Sequence, residues 1–267
     1  SIGSYGCNMR CDFCQNYSIS QRTIAGFVNR TDPEQIVKNA LDSLHNIGIA
    51  FTYNEPVIWF EYIKDVALLA KNNDLRTVIV SNGYVNREPL EEFISFTDAF
   101  NIDLKAFNNT FYRRLTGADI EPVKEALKLI AGSGRHLEIT TLIIPGHNDS
   151  EEEMAEETEW IAKELGCDVP FHLSRYFPMY KREDPATNSQ KLIRLSEIAS
   201  KNLRYVYVGN MVSETGQNTI CPQCGKTVTR RSGYNIKIMN LDQKGNCKNC
   251  GKQIYKNFTS FPHSSRN

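Results

Sequence analysis

The chain lacks any apolar run long enough to cross a bilayer as a helix, so its sequence pattern offers no membrane span. It lacks an excess of either charge: 31 Lys and Arg stand against 31 Asp and Glu. The overall balance therefore gives no argument for nucleic acid or an anionic membrane as a partner. No signal peptide precedes the first cysteine. A reducing, cytoplasmic compartment is expected, where clustered cysteines hold metal rather than form disulfides. Short internal repeats and low-complexity tracts are also absent. The chain opens at Ser1 rather than Met, inside a strand-like stretch, and a segment ahead of it is expected.

One more absence is chemical. Cys7, Cys11 and Cys14 fall within eight residues, and no fourth cysteine follows for more than a hundred. A closed structural metal site takes four ligands, so this set is incomplete for that purpose.

What is present is an alternation of strand and helix over most of the 267 residues. Short β-branched and aromatic stretches begin at Ser1, Gly48, Arg76, Ala99, His136, Val169 and Tyr205. Helical spacing follows Thr31-Asp32-Pro33, where Ile36, Val37, Ala40, Leu41 and Leu44 recur, and Pro33 suits a first turn. Further helices are expected from Pro56 to about Asn72, after Asp149-Ser150, after Glu121 and after Asn188. The run Glu151-Glu152-Glu153 reads as first-turn charge on a helix dipole. Repeated βα units imply an α/β fold with a parallel sheet, open or closed into a barrel.

The character changes after about Met211. SETGQNT is polar and turn-rich, and a boundary at 212/213 is expected. Beyond it, Cys221-Pro-Gln-Cys224-Gly and Cys247-Lys-Asn-Cys250-Gly form two matching knuckles separated by 22 residues. Two residues between cysteines let both thiolates reach one ion, and the following Gly permits the turn that aims backbone N–H groups at sulfur. Four thiolates close a tetrahedral site, so one structural zinc in a ribbon-like module over 213–267 is the strong reading; rubredoxin-like iron or a second iron–sulfur cluster is the weaker one. Arg230 and Arg231 alone are too few to argue a nucleic-acid surface.

For the first set, a disulfide with a spare thiol does not suit a reducing compartment. Zinc with a distant histidine is open, although the nearest, His45, falls in a predicted helix. An iron–sulfur cluster with three protein ligands would leave one iron open to a small molecule.

Here the sequence resembles a known family. CNMRCDFC is similar to the CxxxCxxC motif of the radical S-adenosylmethionine (SAM) superfamily, with Phe13 before the last cysteine fitting as well. Four segments at predicted strand ends follow in family order: TYNEP (Thr52 to Pro56), SNGY (Ser81 to Tyr84), IDLK (Ile102 to Lys105) and IIPGHND (Ile143 to Asp149). The resemblance implies a partial (βα)6 barrel over 1–212. It implies a 4Fe-4S cluster on Cys7, Cys11 and Cys14, with SAM on the open iron. An electron from the cluster cleaves the sulfonium to methionine and a 5′-deoxyadenosyl radical, which takes a hydrogen atom from substrate.

Charge then suggests roles. Asn54 and Glu55 would meet the SAM ammonium, and Ser81 and Asn82 the ribose or carboxylate. Lys105 would neutralise a carboxylate, with Asp103 orienting it or binding a cation. Each has a plainer reading as a helix cap, a turn or an internal salt bridge. His172 is a cofactor-site candidate, Arg175 a substrate-contact candidate and Cys167 an ordinary thiol. Strand parity sets Phe100, Ile102 and Leu104 against Asn101, Asp103 and Lys105, and Phe171 and Leu173 against His172, Ser174 and Tyr176. The polar rows would line a barrel cavity.

Across nearly the whole chain the motif order resembles the radical SAM enzymes of the AmmeMemoRadiSam system, related to pyruvate formate-lyase activating enzymes. That resemblance implies Memo-like and AMMECR-type partners and an electron donor such as ferredoxin or flavodoxin. Activation of a glycyl radical enzyme is a further implication, although Thr140-Thr141 stands where true activases tend to carry arginine, and activases lack the C-terminal ribbon. The competing expectation is a non-catalytic binding module in which both cysteine sets are structural.

Overall fold

The computed structural model describes residues 1–21, 31–211, 213 and 215–256. The tail from 257 to 267, assigned to the C-terminal module from sequence, lies outside the described residues. After the cysteine loop come α1 (Tyr17–Ser20), α2 (Pro33–Asp42) and β1 (Gly48–Phe51). A 3-10 turn (Pro56–Trp59) opens α3 (Phe60–Asn72), which leads to β2 (Arg76–Ser81). Then follow α4 (Arg87–Phe96), β3 (Ala99–Asp103), α5 (Asn109–Phe111), a π-helical turn (Tyr112–Thr116), α6 (Ile120–Gly132) and β4 (His136–Ile143). The barrel part ends with α7 (Glu151–Glu164), β5 (Phe171–Arg175), α8 (Ser189–Ala199) and β6 (Val206–Gly209).

The six strands are parallel and stand in chain order, β1 to β6. Successive right-handed crossovers in that order place every helix on one face, which makes an open (βα)6 barrel rather than a doubly wound sheet. The outer face of the sheet and the inner faces of the helices bury one apolar core. Phe100 and Ile102 on β3, Ile63, Val66 and Ala67 on α3, and Leu127 and Ile130 on α6 are all buried there. Asn101, Asp103 and Lys105 alternate with that apolar row and are half-buried, as strand parity requires. Helix starts are specified locally. Pro33 occupies the first turn of α2; Ser150 Oγ caps α7 by accepting from Glu153 N at 3.0 Å. Asn188 Oδ1 caps α8, accepting from Gln190 N at 2.8 Å.

Four sequence expectations are corrected. The first candidate strand, at Ser1, reduces to a single bridge in which Ile2 pairs in parallel with Phe51; the Gly and Ser residues around Ile2 offer no further side chains to pack. Helix α4 was not anticipated, yet Pro89 near its start and Leu90, Phe93 and Phe96 at three-residue spacing carry it. Tyr176 is fully buried rather than lining a cavity. Parity fails there because β5 ends at Arg175. His45 lies in a turn beyond α2, which ends at Asp42, with a positive φ of 62°.

The C-terminal part forms an antiparallel sheet of β7 (Thr219–Ile220), β8 (Thr227–Ser232) and β9 (Asn235–Ile238). Its small core is Cys221, Val228, Leu241 and Cys247. The turn-rich segment before it runs back along β6: Val208 N donates to Gly216 O at 2.9 Å. The module meets the barrel at β6, where the Tyr207 and Thr219 hydroxyls are 3.0 Å apart.

Candidate active site at the strand ends

The loop carrying Cys7, Cys11 and Cys14 is held from below by the π-helical turn. Such a turn leaves carbonyls free of the usual helical pattern, and here Arg10 N donates to Thr116 O at 2.8 Å and Asp12 N to Leu115 O at 2.9 Å. Gly117 ends the turn in the left-handed region (φ 71°), which glycine adopts without strain. Met9 and Phe13 anchor the loop in the core, with Phe13 5.7 Å from the Phe111 ring. Phe13, the motif's aromatic before the last cysteine and a cofactor-site candidate from the resemblance, is thus packed into the core beside the cysteines.

Cys11 is buried, and Cys7 and Cys14 are half-buried. Burial pushes the Cys7 thiol up, and the Cys11 thiol up to about 12. Polar groups nevertheless face the sulfurs. Met9 N donates to Cys7 Sγ at 3.4 Å and Asn82 Nδ2 at 3.6 Å, while Ser20 Oγ lies 3.1 Å from Cys14 Sγ. Among the described residues, the group of metal-ligating atoms found within 4.8 Å of one another is the second cysteine set, not this one. Wider spacing suits a cluster, in which each thiolate takes a different iron.

Glu55, Ser81 and Asn82 form one unit at the ends of β1 and β2. The fully buried Glu55 carboxylate accepts from Ser81 Oγ at 2.7 Å, Asn82 N at 2.8 Å and Val57 N at 3.1 Å. Burial raises its pKa despite these donors. Glu55 thus caps the 3-10 turn and ties two strand ends together, and most of its acceptor capacity is taken by the protein. Asn82 reaches across to the cysteine loop, donating to Asn8 Oδ1 at 2.8 Å. Gly83, at φ 70°, is required on two counts: the left-handed backbone, and the lack of space, since a Cβ would meet Ile102 Cγ2 at 2.8 Å.

Asn54 differs from its neighbours. Its Nδ2 donates to Ser4 O at 3.2 Å, but its Oδ1 is buried with no hydrogen-bond partner. A buried unpaired acceptor is costly and is what a bound ammonium donor would satisfy. Three thiols, one orphaned acceptor and the Lys105–Asp103 pair fit an iron–sulfur cluster with an amino-acid-bearing ligand.

Lys105 lies at the end of β3, with Nζ 2.9 Å from Asp103 Oδ2. Burial disfavours its charge, but Asp103 and the nearby Cys11 outweigh that and raise its pKa. Its backbone is clamped on both sides: Lys105 N donates to Tyr112 Oη at 3.0 Å, and Asn148 Nδ2 donates to Lys105 O at 2.8 Å. Behind it, Thr141 Oγ1 lies 2.7 Å from both Leu104 O and Glu157 Oε1. One hydroxyl proton cannot fully serve both acceptors at once, a conflict that a protonated Glu157 carboxyl would relieve. Burial raises the Glu157 pKa to about 8, in agreement. Sequence reasoning missed Asn8, Tyr112, Asn148 and Glu157; Asn8, inside CNMRCDFC, and Asn148, inside IIPGHND, sat in segments that carried a local signal.

His172 is not brought to this centre. It sits on β5 opposite Thr140 and Tyr207, with Nε2 2.7 Å from Glu138 Oε2 and its ring stacked 5.3 Å from Tyr207. Arg175 donates from Nε to Thr187 O at 2.8 Å and lies over Phe177. Outside the cysteine loop opens a cavity of about 460 Å³ bounded by Cys7, Arg10, Gln21, Tyr180 and Lys181.

The second set meets the test for a single ion. All four sulfurs lie within 4.8 Å of one another, with 3.5 Å between Cys221 and Cys250 and 3.7 Å between Cys224 and Cys247. A tetrahedron with Zn–S bonds of about 2.3 Å has edges of about 3.8 Å. The Lys226 N–H aimed at Cys224 pulls that thiol down to about 6.

Comparison with known proteins agrees with this geometry. The profile of the Radical SAM superfamily matches residues 1–158. An uncharacterised protein of Methanocaldococcus jannaschii is 38% identical over 258 residues, covering 95% of this chain and 76% of its own. The pyruvate formate-lyase 1-activating enzyme of Escherichia coli is 25% identical over 154 residues, covering 55% of this chain and 61% of its own, so the chain matches about three fifths of that enzyme. Among solved structures, SuiB of Streptococcus suis bound to S-adenosylmethionine superposes with a TM-score of 0.63 at 15% identity, over 78% of this chain and 50% of that one. A domain of a pyruvate-formate lyase-activating enzyme from Bacteroides vulgatus gives 0.53 at 18% identity, over 61% of this chain and 99% of that one. Those two likenesses concern the fold. The family match covers more than half of the chain: this chain belongs to the radical SAM superfamily and is an enzyme of that group.

Proposed function

We propose that Cys7, Cys11 and Cys14 hold a 4Fe-4S cluster, that SAM binds its open iron, and that the enzyme abstracts a hydrogen atom from its substrate. When bound, the cluster supplies the electron that cleaves the SAM sulfonium to methionine and a 5′-deoxyadenosyl radical. The observation that carries this reading is the orphaned Asn54 Oδ1, buried beside Ser4 in the segment that resembles the family's SAM-amino region. Asn54 accepts from the ammonium. Lys105, kept charged by Asp103, neutralises the carboxylate. Ser81, Asn82 and Glu55 hold the strand ends in place; Asn82 also donates to Cys7 Sγ. His172, held by Glu138, lines the barrel level with Asp103 two strands away and would meet the bound ligand from that side.

In this reading residues 1–212 are the catalytic barrel and 213–267 a module with one structural zinc on Cys221, Cys224, Cys247 and Cys250. The enzyme works in the cytoplasm with a ferredoxin- or flavodoxin-type donor, alongside Memo-like and AMMECR-type proteins of the AmmeMemoRadiSam system. The activating-enzyme relatives favour one more specific outcome, a glycyl radical installed on a partner protein. The test is electron paramagnetic resonance of the anaerobically reconstituted, reduced protein. A cluster signal that changes on adding SAM in wild type, but not in Asn54→Leu, supports the binding site. A spectrum unmoved by SAM in wild type overturns it. A doublet from a protein glycyl radical after adding a candidate partner would establish the activase outcome.

A further inference from the structure

The zero net charge conceals a division. Between Thr219 and Lys256 stand eight Lys and Arg and a single acid, Asp242, whereas the first 218 residues carry 22 Lys and Arg against 30 Asp and Glu. Four thiolates on a divalent ion subtract only two charges, so the module stays strongly basic. Lys226, Arg230, Arg231, Lys237, Lys244, Lys248 and Lys256 are exposed, and Lys252 half so. None of the eight closes an ion pair among the described residues; the pairs found join side chains between Asp12 and Arg204. Lys244 stands near Asp242, and Arg231 lies over the Tyr207 ring.

The hairpin concentrates this charge. Arg230 on β8 lies directly opposite Lys237 on β9, and Ser232 opposite Asn235. Like charges at a cross-strand pair destabilise a sheet unless an anion lies between them. Toward the tip that face carries hydrogen-bonding and cationic side chains, with Met239 at its far end; Ile236 and Ile238 are exposed on the opposite face, and Tyr234 stands fully exposed at the hairpin tip. An interface for a folded protein centres on apolar anchors with charges at the rim. A cationic, hydrogen-bonding face with a free aromatic ring instead matches a backbone of phosphates with bases to stack.

We propose that the β8–β9 hairpin and its flanking lysines form a docking surface for single-stranded nucleic acid. Arg230 and Lys237 bind phosphates, and Tyr234 stacks on a base. The surface lies beside β6 at the open edge of the barrel, where Arg231 covers Tyr207. The proposal is independent of SAM cleavage, because the measurement below needs no cofactor turnover.

The test is fluorescence anisotropy of the full-length, metal-loaded protein with a labelled oligouridine of about 20 nucleotides, titrated at several salt concentrations. Single strands give a log–log salt slope of about −0.7 per phosphate neutralised. The doubly substituted Arg230→Gln, Lys237→Gln protein should bind more weakly, with a slope shallower by about 1.4. Tyr234→Ala should weaken binding roughly tenfold and leave the slope unchanged. Unchanged metal content of the four-cysteine site shows that each variant keeps its module. Any of four results would overturn the proposal: no binding by wild type at low salt, binding undiminished in both variants, displacement by polyglutamate as effective as by unlabelled RNA, or salt-sensitive self-association that accounts for the signal.

Discussion

Cys7, Cys11 and Cys14 stand on a loop bound from outside, by the carbonyls of Leu115 and Thr116 and by Met9 and Phe13 in the barrel core. Cys221, Cys224, Cys247 and Cys250 stand on knuckles with little else beneath them: two of the four residues in that module's buried core are themselves cysteines. On the proposed reading, the fold holds the metal ligands in the first region, and in the second the metal ligands hold the fold. The difference explains why an incomplete set can be catalytic, since the barrel keeps three thiolates in place without needing a fourth. It also explains why the complete set is closed.

The largest effect expected from this contrast is in the C-terminal module. Structural zinc in small four-ligand sites is worth roughly 10 kcal/mol of folding energy. Cys247→Ser, or zinc removal by a strong chelator, should unfold 219–256. Limited proteolysis should then trim the chain back toward β6 while the barrel resists. A module that stays protease-resistant without metal would erase the contrast. In the barrel, Glu55→Ala removes three hydrogen bonds from Val57, Ser81 and Asn82 at a fully buried position. It should destabilise by about 3–5 kcal/mol, read as a lowered midpoint in urea, with SAM binding lost as the strand ends separate.

Glu157 sharpens the comparison through pH. Its folded pKa, about 8, is above the ordinary 4.5, so the folded state holds a proton that the unfolded state releases. Stability from the neutral carboxyl is full below about pH 4.5 and is lost as pH rises toward 8. Wild type should therefore melt roughly 5 °C lower at pH 8.5 than at pH 6 from this group alone. Glu157→Gln, which keeps a donor for Thr141, should flatten that slope; an unchanged slope would mean that Glu157 is ionised at neutral pH. The smallest effect should follow from removing iron. Because the loop is anchored by the barrel, the apo form should melt within about 3 °C of the reconstituted form, unlike the four-cysteine module.

The alternation of strand and helix and both cysteine sets were legible in the sequence, because βα periodicity and CxxC spacing are local patterns. The face division of β3 was legible too, since parity is a local rule. Parity failed at Tyr176, where the strand stops. Helix α4 went unread because its apolar positions, Leu90, Phe93 and Phe96, are diluted by Glu88, Glu91 and Glu92 on the exposed face. Within the site, Asn54, Glu55 and Lys105 sat in recognisable segments. Their supports Tyr112 and Glu157 act across long stretches of chain and have no spacing of their own; Asn8 stood inside the cysteine motif, but its partner Asn82 lies 74 residues away. The placement of His172 with Glu138 and Tyr207 depends on register between β4, β5 and β6, which a single strand does not encode.

The central claim is that the three-cysteine loop, and not the four-cysteine module, carries the chemistry. Its most direct test is the release of 5′-deoxyadenosine and methionine by anaerobically reconstituted protein supplied with SAM and a strong reductant, compared across wild type, Cys11→Ala and Cys247→Ser. The expected result is equimolar release by wild type, release at the reagent background for Cys11→Ala, and substantial release retained by Cys247→Ser. Release by Cys11→Ala equal to wild type, or none by wild type, would contradict the account.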